Sequence, residues 1–529
     1  MKNLDLYLNG RCTGPLGLVI SPISAKAASW YGSSSEYNNN NNWIVNFSSG
    51  NCNNNNKNNS NVARGLVALD LQVLDGWVEA FEDCCLHKKS SEQCTRYRLD
   101  ASTDIPILAA QVESWRNYKP GTSICFIVTV PRVREIFAAD FRDRIVQHWI
   151  CLRLRFLFEE RYISHGNVTF NGRVGYGTMV AANRAQEAID ELTDHYRKDA
   201  WVATIDIWSF FMTIDKTVLW SFLQSFIVHN FARIKEKFPT TEMDTFLRVT
   251  EIVVMHAPQS DCAFRGDLRL RDQLAPWKSL LNALEHIGMA IGNITSQDFA
   301  NFLMSFIDEW AVGFCRERGM IYIRFVDDIL IGGLSKENLI QFRKELCEYL
   351  SLTLHQKVHP DKFYIQPARH GVKFVGRIIK PGRSYTGNRT VGNFYNALHK
   401  LNKFCSAIIK GDVTVVQAME LEHLVSSVNS LYGFLISTAS WKIRIEALKS
   451  MTAFWKVCYV VNNHIVRIRK QYKLQTILTQ QKDDEQSYYQ AVDSGDFVQY
   501  LSSEKPHYQH RNRARRRKQR SRPRRDSTR

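Results

Sequence analysis

The chain is 529 residues long, 44% hydrophobic, and carries a formal net charge of +17. That length exceeds one simple core and suggests about three or four folding units. The basic excess points to a polyanionic partner, nucleic acid or less specifically an acidic membrane surface, while the lack of a signal-peptide pattern or an apolar run of ~18 residues argues for a cytosolic protein without membrane spans.

The first distinct stretch in chain order runs from about Asn38 to Asn61 and is crowded with asparagine. So polar a low-complexity segment cannot form a core of its own and is expected to be disordered or only locally ordered. From about Leu66 to Lys470 the chain reads as folded, with mixed helical and strand patterns and no solenoid repeat. The 12 cysteines, as at Cys12, Cys125, Cys262 and Cys405, form no CxxC pair and have no histidine at zinc-ligand spacing. Neither a disulfide nor a structural metal is expected, and the adjacent Cys84 and Cys85 read as buried thiols.

Trp201-Val-Ala-Thr-Ile-Asp206 is a β-prone run that ends abruptly in an aspartate, which sets a carboxylate at a strand end over an open cleft. Gly288 to Asp308 reads as a glycine-containing loop leading into a helix, with Thr295 or Ser296 as N-cap and Asp298 in the first turn. Phe299, Leu303, Phe306, Ile307 and Trp310 then recur at helical spacing and are expected in the core. Gly292 would let the loop backbone approach a nucleotide closely. From Met320 to Gly333 two short apolar strands flank Asp327-Asp328, a hairpin with both acids at its tip. Taken alone, such a pair is also an ordinary turn.

Carboxylates from two strand ends suit nucleotide addition. Two divalent ions ~3.5–4 Å apart activate a primer 3′-hydroxyl and stabilise the leaving pyrophosphate, and hard Mg²⁺ prefers carboxylate oxygen. Asp206 and Asp327 would bridge two Mg²⁺ ions, with Mn²⁺ as the alternative metal. Asp328 would complete the shell, with the backbone carbonyl of Ile207 as a further ligand.

After about Lys482 the sequence turns polar, and Arg511 to Arg525 forms a basic block that includes Arg515, Arg516, Arg517, Lys518 and Arg520. Such a block repels itself and is expected to stay disordered until it meets phosphate. Nucleic-acid binding is the functional reading, and a solubilising tail is the plain one.

Asp206 with Phe210-Phe211, the Ile291-Gly-Asn-Ile-Thr-Ser-Gln297 loop and Phe325-Val-Asp-Asp328 resemble, in order and spacing, motifs A, B and C of reverse transcriptases. Upstream, Arg134 to His148 and Asn171 to Thr178 look like the fingers motifs. Downstream, His359 to Gln366 resembles motif D, and Gly371 to Gly376 the primer grip. The resemblance runs from roughly Leu69 to Met451, and several independent motifs agree. It implies an α+β right-hand polymerase with fingers, an antiparallel-sheet palm carrying the catalytic aspartates and a helical thumb. The implied divisions are an Asn-rich segment over 1–65, N-terminal extension and fingers over 66–200, palm over 201–385, thumb over 386–480, and a polar linker with basic tail over 481–529.

The resemblance also implies roles. Arg173 would grip the incoming triphosphate through its guanidinium, unless it is a simple surface-loop arginine. Phe211, five residues after Asp206, would gate against a ribose 2′-hydroxyl, and Ile291, Gly292 and Gln297 would line the dNTP site. Lys362 would act as general acid to pyrophosphate, or be a solvated lysine. The substrates implied are an RNA template, a DNA or cDNA primer strand and dNTPs.

Ile-Gly-Asn-x-Thr-Ser-Gln is similar to the loop of diversity-generating retroelement enzymes, in the bacterial group II intron-like lineage, where other relatives carry Gln-Gly. Lys278 to Leu281 and Val428 to Gly433 look like that group too, while Ala290 replaces its usual proline and Phe325 its usual tyrosine. This finer resemblance implies error-prone copying of template adenines from a template-repeat RNA for target-gene diversification, with a small basic helical accessory protein. Trp43 to Arg64 would then resemble a translated template repeat, with ordinary low-complexity sequence as the alternative. A retron or phage-defence reverse transcriptase and a catalytically silent RNA-binding protein are the competing expectations.

Overall fold

The computed structural model describes residues 71–86, 92–129, 132–411 and 413–480, together with the backbone of 41–46 and 51–56. The basic tail, including Arg515 to Lys518 and Arg520, lies outside the described residues. In the asparagine-rich stretch, β1 (Asn41–Asn46) pairs antiparallel with β2 (Asn51–Asn56), Asn41 opposite Asn56. Local order there takes the form of a two-stranded ladder that satisfies backbone polar groups. Among the described residues no helix is long and apolar enough to cross a membrane.

The chain divides into two compact units, Met1–Arg383 and Ser384–Arg529. The first is a mixed α+β unit with several small sheets. In one of them, β3 (Ser123–Val128) pairs antiparallel with β4 (Arg134–Ala138) on one side and parallel with β6 (Cys262–Phe264) on the other. The sheet that carries the aspartates has four strands, ordered β7-β8-β5-β9. They are β5 (Trp201–Asp206), β7 (Ile321–Phe325), β8 (Asp328–Gly333) and β9 (Tyr364–Pro367), and every pairing is antiparallel.

This sheet is apolar on both faces, which is why its strands read as continuous hydrophobic runs instead of alternating ones. Ala203, Ile205, Ile329 and Ile331 join the large helical core on one face, while Val202, Ile323 and Leu330 join a second cluster with Phe170, Ala185 and Phe374 on the other. A one-residue slip would carry each set to the wrong face, so burial fixes the register that brings the acids together.

The long helix Ile294–Glu317 packs on this core, and Phe302 stacks on Phe158 of the helix Phe141–Ser164 with ring centroids 4.8 Å apart. Phe299, Leu303 and Ile307 are fully buried, and Phe306 and Trp310 pack against them. The helix starts earlier than its capping residues suggested. Asn293 is the N-cap, with no side-chain cap hydrogen bond, and Thr295 and Ser296 lie buried in the first turn. Asp298 does not serve the helix dipole: Arg155 Nε donates to its Oδ2 at 2.7 Å. A short polar side chain buried against a neighbouring helix is satisfied by the partner that packing brings, whatever its capping propensity.

The second unit has the helices Asn388–Ile408, Val415–Ile436 and Trp441–Lys449. Its separate core includes Phe394, Leu398, Leu401, Val428 and Tyr432. The Val415–Ile436 helix opens on a capping box in which Thr414 and Gln417 satisfy each other's backbone, the reciprocal use of two orphan donors.

Candidate active site

Asp206 closes β5 and lies directly opposite Asp328, the first residue of β8. Phe325 pairs with the same Asp328 across the hairpin, so only Val326 and Asp327 form the turn. Val326 has φ of +59°, a conformation unfavourable to a β-branched residue and held only where the surroundings insist on it. The three acids therefore share one end of the sheet.

Their electrostatics follow from that crowding. Burial, then Asp328 and Asp206, push the Asp327 carboxyl up to about 7. Asp328 keeps part of its surface open to solvent. Its carboxyl is raised by loss of water and then by Asp206, while Lys362 and Arg132 pull it back. Carboxyls raised first by burial and then by each other's charge mark a place where a cation would be stabilised.

A cation already stands there. Lys362 Nζ lies 2.8 Å from Asp206 Oδ2 and donates to it. The segment bearing Lys362 is aligned by the chain beside Asp206, with His359 N donating to Asp206 O and Trp208 N to Lys357 O, each at 2.8 Å. These two bonds flank the Ile207–Val358 bridge, so the carbonyl of Ile207 turns to the opposite side, toward β8 and the acids. With Asp206 drawn to Lys362, no group of three His, Cys, Asp or Glu among the described residues converges as a ready-made metal cage. The donor set fits a hard divalent ion in chemistry, and Lys362 marks where positive charge is wanted.

An apolar floor joins the first and second motifs. Phe211 and Ile291 pack in one cluster with Phe137, Met212 and Leu280. Met289 N donates to Phe211 O at 2.7 Å and Phe137 N to Ile291 O at 3.0 Å, which ties the loop to β4. Gly292 has φ of +123°, and a Cβ there would meet Ile136 Cγ2 and the Phe137 carbonyl at 3.0 Å. The glycine is thus required by close approach of strand β4, whatever else approaches the loop.

Gln297 is exposed and reaches the Asn171–Arg173 loop, its Nε2 2.9 Å from where a Cβ on Gly172 would lie. Arg173 does not reach the carboxylates. Its side chain is 1% exposed and forms a bidentate pair with Glu159, Nε to Oε2 at 2.8 Å and Nη2 to Oε1 at 2.6 Å. Nη1 donates to the Thr169 carbonyl at 2.5 Å, and the Tyr176 ring covers the guanidinium at 3.8 Å. With each of its nitrogens bonded inside the protein, this group has no free fork for phosphate in this conformation.

A second cation acts on the acids beside Lys362: Arg132, exposed in the connection between β3 and β4, also lowers the Asp328 carboxyl. Sequence reasoning passed over it because it lies in no glycine-rich context. Glu135 was passed over too: fully buried on β4, it accepts from Ser279 Oγ at 2.9 Å and Leu280 N at 2.7 Å. That anchors the Lys278 to Leu281 segment under the floor.

No protein-family model and no curated protein matches the sequence. Among solved structures the chain is similar to telomerase from Candida albicans in complex with a fragment of telomeric RNA, at a TM-score of 0.34 and 11% identity, covering 65% of this chain and 59% of that one. It is also similar to apo telomerase from Candida tropicalis, at a TM-score of 0.37 and 10% identity, covering 72% and 78% respectively. The chain thus spans less than two thirds of the Candida albicans protein. Similarity at this level names no family, and the functional reading stands on the residues of the site.

Proposed function

We propose that the protein is an RNA-templated DNA polymerase that adds deoxynucleotides to a primer at the Asp206–Asp327–Asp328 end of the sheet. The observation that carries the reading is the direct pairing of Asp206 with Asp328, with Asp327 in the adjoining turn. Asp206, Asp327, Asp328 and the Ile207 carbonyl would hold two Mg²⁺ ions. When bound, these would supply charge stabilisation for an in-line phosphoryl displacement.

The rest is work for the chain's own groups. Phe211 and Ile291 would form the apolar floor for a deoxyribose and base, with the Phe211 ring as the gate that offers a 2′-hydroxyl no hydrogen-bond partner. Arg132 is the candidate for the triphosphate, in place of Arg173. Lys362, whose Nζ stands on Asp206 Oδ2, would be the group that gives a proton to departing pyrophosphate. In this reading the Met1–Arg383 unit contains fingers and palm and the Ser384–Arg529 unit the helical thumb.

The finer reading is mutagenic copying of template adenines from a template-repeat RNA, with a small basic helical accessory protein. Support comes from Ile291: an apolar side chain beside Phe211 offers the nascent base pair no hydrogen bond by which to reject a mismatch.

Primer extension on a defined RNA decides both levels. Mg²⁺- and dNTP-dependent product from the wild type, absent from Asp327→Ala, is expected, and no product from the wild type would sink the polymerase reading. Sequenced cDNA should carry its errors opposite template adenines; errors spread evenly over the four bases would leave a reverse transcriptase of another type, such as a retron or phage-defence enzyme.

A further inference from the structure

We propose that Asn301 and Arg324 form a buried relay that ties the Asn171–Arg173 loop to the turn presenting Asp327, so that the loop's position sets the geometry of the carboxylates. Its functional meaning rests on the polymerase reading above; its physical content does not.

Arg324 lies on β7, three residues before Asp327, and is completely buried. Its Nε and Nη2 grip Asp308 at 2.7 and 2.5 Å, and Tyr322 Oη donates to the same carboxylate at 2.8 Å. The remaining arm, Nη1, donates to Asn301 Oδ1 at 3.0 Å and to the Val326 carbonyl at 3.1 Å. That second bond reaches the one residue of the turn with a strained backbone. A β-branched residue at positive φ stays there only if something holds it, and the Arg324 arm is bonded to its carbonyl.

Asn301 is the node on the other side. It projects from the helix Ile294–Glu317 and is 3% exposed. Its Oδ1 accepts from Thr169 Oγ1 at 2.9 Å as well as from Arg324, and its Nδ2 donates to the Asn171 carbonyl at 3.0 Å. Rotating the amide by half a turn would set donor against donor at Arg324, so the side chain has one satisfied orientation. Backbone bonds run in parallel: Arg324 N donates to Val168 O at 2.9 Å and Phe170 N to Arg324 O at 3.2 Å.

The loop end of this network is held on several sides. Arg173, bonded through Thr169 to the same network, closes it at one edge, Gln297 abuts Gly172, and the next residue, Val174, is 97% exposed. A template or nucleotide that presses on the loop would act on Asn171, hence on Asn301, Arg324 and the Val326 carbonyl. A plain structural ion pair needs only Arg324 and Asp308; it does not need Asn301 to link two loops through one amide.

The test uses the full chain with Asn301→Ala, which leaves the Arg324–Asp308 pair intact, and Arg324→Lys, which keeps the charge but cannot span three partners. Amide hydrogen exchange should quicken at both Val326–Asp328 and Asn171–Arg173 in each variant, because coupling between two sites is reciprocal. In primer extension, the rate at saturating dNTP should fall roughly 10- to 100-fold, the usual consequence of disturbing groups that orient metal ligands. The Mg²⁺ requirement should rise, with little change in KM for dNTP. Exchange that is unchanged at either segment in Asn301→Ala overturns the relay, as does a loss of activity that only follows the folded fraction. Should Arg324→Lys fail to fold, Asn301→Ala carries the test. A wild type without polymerase activity would remove the proposed function, while the exchange comparison still decides the relay.

Discussion

Asp206 and Asp328 face each other as paired residues on neighbouring antiparallel strands. Directly opposed like charges destabilise a sheet, so the protein carries a local penalty that a cation or a bound proton relieves. Lys362 takes that place on Asp206.

Asp206→Asn and Asp328→Asn should each lower primer extension by roughly 10³-fold or more, as expected for members of one catalytic unit. Thermal melting in EDTA should hold steady or rise, since each change removes repulsion. A fall in melting temperature matching the loss of activity would show the acids to be structural.

The raised Asp327 carboxyl makes stability fall with rising pH. Its folded pKa, about 7, lies above its ordinary value near 4. The folded state therefore binds the proton more tightly than the unfolded one, and stability declines as pH rises through that window. Urea denaturation in EDTA between pH 5 and 8 should show the decline, Asp327→Asn should flatten it, and Mg²⁺ should restore stability chiefly above pH 7. A slope untouched by Asp327→Asn would assign it to other groups.

Arg173 and Arg132 should separate stability from substrate binding. Arg173→Ala breaks a pair in which Glu159 is partly exposed, and a loss of roughly 3 kcal/mol in unfolding free energy is expected. Arg132→Ala should leave stability within about 0.5 kcal/mol of wild type. It should raise KM for dNTP roughly 10-fold, the worth of one charge-assisted contact. The reverse pattern would return the triphosphate to Arg173.

Gly292→Ala adds a Cβ at 3.0 Å from both Ile136 and the Phe137 carbonyl at a φ of +123°. About 1–3 kcal/mol of destabilisation is expected from the backbone conformation alone. Denaturation of the purified variant checks it, and a neutral substitution would mean that the loop and β4 can part freely.

The carboxylates were legible because their signal is local. A β-prone run ending in aspartate and an Asp-Asp pair between two apolar strands each describe their own backbone within a dozen residues. Burial of both sheet faces then converts those runs into one register, and the acids arrive at the same end. The helical stripe from Phe299 to Trp310 was readable for the same reason, though its cap was not: the start of that helix is set by packing around Asn293 and Asp298.

By itself the sequence determined which acids stand at strand ends and which residues face the core, since periodicity and turn chemistry act over short stretches of chain. Only the tertiary structure decided which cations meet which anions. Arg173 found Glu159, Arg324 found Asp308 and Lys362 found Asp206. A long charged side chain has many partners within reach, and desolvation by distant elements selects among them. The pairing of Asp206 with Asp328 across β5 and β8 was of both kinds: each residue was marked in the sequence, and their opposition was made by the sheet.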